Sequence, residues 1–131
     1  MSIINSISEA LLPKKYPLSE FGMDDKRFFV ALLQACPVGS RLSFDRSEPE
    51  SFARAFREWS HRDQAETFEA DYYQIDARFI AAIEQAIARG ELQLDHHFGI
   101  VAPDGRPLCS SMDDFAVVAL AEEVRERILR S

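Results

Sequence analysis

Apolar positions recur every three or four residues along much of this chain and alternate with polar ones in one stretch. Ile3, Ile4, Ile7, Leu11 and Leu12 form a short helical run that Pro13 stops. KKYPLSEFG, residues 14–22, carries Pro17 and Gly22 and reads as a loop. Residues 1–22 are therefore expected to form a loosely docked helix and loop. Asp24 caps the next helix, which runs to about Ala35. Phe28, Phe29, Val30, Ala31, Leu32 and Leu33 make it apolar nearly all round, the pattern of a central buried helix. Pro37 and Gly39 end it. RLSF, residues 41–44, reads as a short strand with Leu42 and Phe44 inward.

SEPE, residues 47–50, has the marks of a helix start: Ser47 caps, Pro49 fits an early position and Glu50 closes a capping box. Phe52, Phe56 and Trp59 follow at helical spacing. SHRDQAE is a break, and Asp63 with Glu66 offers a second capping box. From Phe68 through Tyr72, Ile75, Phe79, Ile83 and Ile87 the helical beat continues to Gly90, a natural C′ residue. The spacing predicts a helix over 77–89. For 65–75 a helix is preferred, with a strand as the alternative, in which Asp76 caps a separate helix.

The alternating stretch is ELQLDHHFGIVA. Leu92, Leu94, His96, Phe98 and Ile100 share one face, and Gln93, Asp95, His97, Gly99 and Val101 the other. PDGR, residues 103–106, is a turn, and PLCSS returns as a second strand. Ser111 and Asp114 form a capping box for a last helix with the stripe Val117, Leu120, Ala121, Val124 and Ile128. The pattern predicts an α+β single domain over 1–131, with four to five helices and a small antiparallel β element that includes a hairpin near 92–111. Phe56, Trp59, Phe79, Ile83 and Leu120 are its expected core. Helix, strand, helices and hairpin also follow the order of a winged-helix domain, with the APDGR turn as wing tip.

Charge changes this picture most. The 131 residues carry a formal net charge of −7, with 15 Lys and Arg against 22 Asp and Glu. Residues 1–44 sum to +1, 45–75 to −4 and 76–131 to −4. Such a field repels nucleic-acid phosphates and attracts basic partners. No apolar run approaches the roughly 18 residues of a membrane span, and the N-terminus lacks the charge order of a signal peptide. Two cysteines, Cys36 and Cys109, are too few for a disulfide framework and read as free thiols in a reducing cytoplasm.

Candidate chemistry clusters in the hairpin, yet its parts point apart. Neighbouring strand residues face opposite ways, so His96 and His97 cannot share one metal. A two-residue turn pairs Cys109 with Ile100, and a three-residue loop pairs it with Val101. Either register leaves a Cys–His pair about 13 Å apart at strand rise. His96 among Leu94, Phe98 and Ile100 reads as a core histidine. The DHH triplet is shared with a family of phosphoesterases, but the further aspartate motifs that hold their metals are missing, and the match is rejected. Asp24-Asp25 and Asp113-Asp114 stand at helix starts, where the macrodipole favours acids. No catalytic constellation, metal site or cofactor motif is expected.

These readings leave three function classes. The preferred one is a non-enzymatic cytoplasmic domain that inhibits or chaperones a basic protein. In size and charge, though in no motif, the chain resembles immunity proteins of bacterial toxin systems and acidic secretion chaperones. Twelve arginines against three lysines suit a GC-rich bacterial source. The expected partner-binding residues are Glu58, Asp63, Glu66, Glu69, Asp71, Asp95 and His97. The alternatives are a small enzyme or ligand-binding protein with a site near Asp95, His97 and the 102–107 turn, and a winged-helix-like adaptor that acts through proteins.

Overall fold

The computed structural model describes residues 13–44, 54, 56–62, 71–92, 94, 97–112 and 115–131. In chain order they form β1 (Lys14–Pro17), α1 (Asp25–Ala35), β2 (Arg41–Phe44), β3 (Ser60–Arg62), β4 (Asp71–Gln74), α2 (Ala77–Ala88), β5 (Phe98–Val101), β6 (Pro107–Met112), β7 (Val117–Leu120) and α3 (Glu122–Arg130). Short 3₁₀ turns occupy Leu18–Phe21 and Arg57–Trp59. The seven strands form one antiparallel sheet in the order β1-β7-β6-β5-β2-β4-β3. The chain is α+β, but the expectation of four to five helices around a small β element is overturned. Among the described residues a seven-stranded sheet carries three α-helices, which is not a winged-helix arrangement.

The differences have local causes. KKYP is not a loop: it pairs with β7 as an edge strand, and Pro17, which has no N–H to donate, is tolerated there. Arg54 of the expected helix after 47–50 is helical, a 3₁₀ turn takes 57–59, β3 takes 60–62 of the expected break, and at 71–74 the strand alternative, β4, replaces the preferred helix. Residues 47–53 and 63–70 lie outside the described residues, as do the helical run of 1–12, the Asp63–Glu66 and Asp114 capping positions, and His96. The expected helix start near 111–117 is instead the end of β6 and all of β7. AVVAL is a short apolar run that fits either period, and pairing with β6 decides it.

α1 and α2 formed where caps and periodicity agreed, whereas α3 follows Ala121 with no side-chain cap. Asp24 accepts the Arg27 N–H at 2.7 Å, and Asp76 accepts the Phe79 N–H at 2.8 Å. Gly90 follows α2 at φ 69°, as a C′ glycine should. α1 lies between α2 and α3 and packs on both. The inner face of the sheet presents two rows to these helices. One runs Tyr73, Leu42, Ile100, Cys109, Leu120; the other runs Phe44, Phe98, Ser111, Val118, Tyr16. Aromatic rings link sheet and helices: Phe29 meets Phe98 edge-on at 5.3 Å, and Tyr73 stacks on Phe79 at 5.6 Å. Phe56, Phe79, Ile83 and Leu120 are buried as expected, whereas Trp59 is half-buried against Phe79.

The hairpin keeps one of the two expected registers, Cys109 opposite Ile100, and departs from both at Val101. Gly105 at φ 91° closes the turn, and its N–H reaches the Ala102 carbonyl at 2.8 Å. Val101 pairs with Pro107, but Ile100 pairs with Cys109, so Leu108 is the extra residue of a β-bulge. The bulge explains why Leu108 and Cys109, neighbours on a strand, are both buried. Ser111 does not cap a helix: it lies buried in β6, and its hydroxyl oxygen accepts the Phe98 N–H at 2.9 Å.

Candidate partner-binding surface

The strand register determines which acids share a surface. β2 is antiparallel to both β4 and β5, so β4 and β5 run the same way on either side of it. Ser43 pairs with Tyr72 on one side and Gly99 on the other. Asp71 is therefore level with Phe44 and Phe98, and His97 is one residue further out. Two strand spacings, about 10 Å, separate the two backbones. β3 also ends at this end of the sheet, since Arg62 pairs with Asp71. Asp63, Glu66, Glu69 and Asp95 lie outside the described residues. His97 is exposed.

Glu58 does not join this group. It is exposed in the 3₁₀ turn ahead of β3, and the far end of that strand, Arg62, is the residue that pairs with Asp71. The neighbouring Trp59 is fixed by two contacts, the Phe79 ring at 6.0 Å and the Arg78 guanidinium 5.5 Å from its centroid.

The opposite end of the sheet is tied down by its own charges. Asp104 faces Arg106 at 3.1 Å, and Arg106 reaches Glu123 at 3.0 Å, which pins the hairpin turn to the start of α3. The Arg106 backbone N–H, and after it the guanidinium, holds the Asp104 carboxyl below its ordinary range. His97 and this turn stand at opposite ends of β5, so the structure does not assemble a site from His97 and the 102–107 turn.

Neither cysteine is placed for nucleophilic work. Burial pushes the Cys36 thiol up to about 12, although Arg127 pulls it down, and Glu123 adds to the rise. Burial also pushes Cys109 well up, and the nearby Cys36 reinforces it. A thiol held protonated is a poor nucleophile and a poor metal ligand. Among the described residues no three His, Cys, Asp or Glu side chains converge as metal ligands, and no helix is long and apolar enough to cross a membrane.

One feature escaped the sequence reading. An open groove of about 530 Å³ runs along the outer side of α1, walled by Glu84 and Ile87 of α2 and by Ser131. Its signal was present in the sequence. Val30 and Ala31 extend the apolar surface of α1 beyond the stripe that faces the sheet, and both are only half-buried. Compared with known proteins, the chain matches no family model, no curated protein and no solved structure.

Proposed function

We propose that this chain is a non-enzymatic cytoplasmic binding domain that captures a basic protein partner, in the manner of a toxin's immunity protein or a secretion chaperone. The supporting observation is the coincidence of charge and register. Residues 45–75, the stretch of densest acid surplus, include β4, whose Asp71 is level with Phe98 at the end of the sheet where His97 lies. Asp63, Glu66, Glu69, Asp71, Asp95 and His97 are the contact residues of this reading, and Glu58 is peripheral to it. A partner rich in Lys and Arg is steered to such a surface, and the steering sets its association rate.

The test is association kinetics against salt, with the basic partner recovered by pull-down. The Debye length shrinks from about 10 Å at 0.1 M to about 3 Å at 1 M, so association should slow about tenfold or more across that range. Glu69→Lys with Asp71→Lys should slow it further at low salt. An association rate indifferent to both salt and charge reversal refutes the reading.

A further inference from the structure

We draw no further inference here: the strongest candidate, the open groove along the outer side of α1, sets Lys26 and Arg27 against Asp24 and Glu84, so its charge selects no ligand, and nothing in the structure shows what covers it.

Discussion

The space between sheet and helices and the acidic end of the sheet are built on different physics. Between sheet and helices, Phe28, Phe29, Phe98 and Phe115 are 0–2% exposed and touch one another through edge-on and tilted rings. Their contribution is short-ranged and depends on shape. At the sheet end, His97 is exposed, and charge on such a surface acts through a field that salt screens. Stability is carried by the buried rings, and under the proposed function recognition is carried by surface charge, so each should be changeable without the other.

The largest expected effect lies in the interior. Phe79 is fully buried and contacts Phe56, Trp59 and Tyr73. Phe79→Ala should cost about 3–5 kcal/mol in denaturant melts. A loss below about 1 kcal/mol would erase the contrast between the two regions, because surface changes cost as much.

The buried thiols sharpen the contrast through pH. The Cys36 thiol titrates at about 12 in the folded chain and near 9 once exposed. Between those values the unfolded state has lost a proton that the native state keeps, so stability falls as pH rises. The slope approaches about 1.4 kcal/mol per pH unit for this one group. Below pH 9 both states hold the proton, and the thiol adds no pH dependence. Urea melts of the parent and of Cys36→Ala from pH 8 to 11 should diverge in slope, with the parent steeper; parallel curves would show that this thiol is not sequestered.

A smaller effect tests the backbone. Phe115 lies in the left-handed region at φ 71°, where a side chain costs about 1–2 kcal/mol per residue. Its ring, packed on Phe28 and Phe98 at 5.8 and 5.2 Å, offsets that cost. Both Phe115→Ala and Phe115→Gly lose the ring, but only glycine relieves the strain. Glycine should therefore be the more stable variant by about 1 kcal/mol, the reverse of its usual rank against alanine. Alanine as the better residue would locate the strain elsewhere.

The smallest effect belongs to the surface. Glu58→Lys should shift stability by no more than about 0.5 kcal/mol, because the side chain is exposed on a short turn. Lying at the other end of β3 from Asp71, it should also slow partner association less than Asp71→Lys does. An equal or larger effect from Glu58 would move the binding surface to the 3₁₀ turn.

The amino-acid sequence by itself determined the features whose causes lie within a few residues of chain. Asp24 and Asp76 cap helices because a carboxylate can reach an N–H three residues on. The apolar beat of 77–88 made α2, Leu42 and Phe44 turned inward as a two-residue alternation requires, and PDGR made the turn. Tertiary structure decided the rest. β1 and β4 have four residues each and take hydrogen bonds from strands distant in the chain, β1 from β7 and β4 from β2. The Leu108 bulge, which brings Cys109 inward beside Leu108, follows from fitting β6 between β5 and β7 at once. The candidate sites divide the same way. The acid surplus of 45–75 is a property of composition, but Asp71 and His97 stand at the same end of the sheet, two strand spacings apart, only because β2 pairs with both β4 and β5.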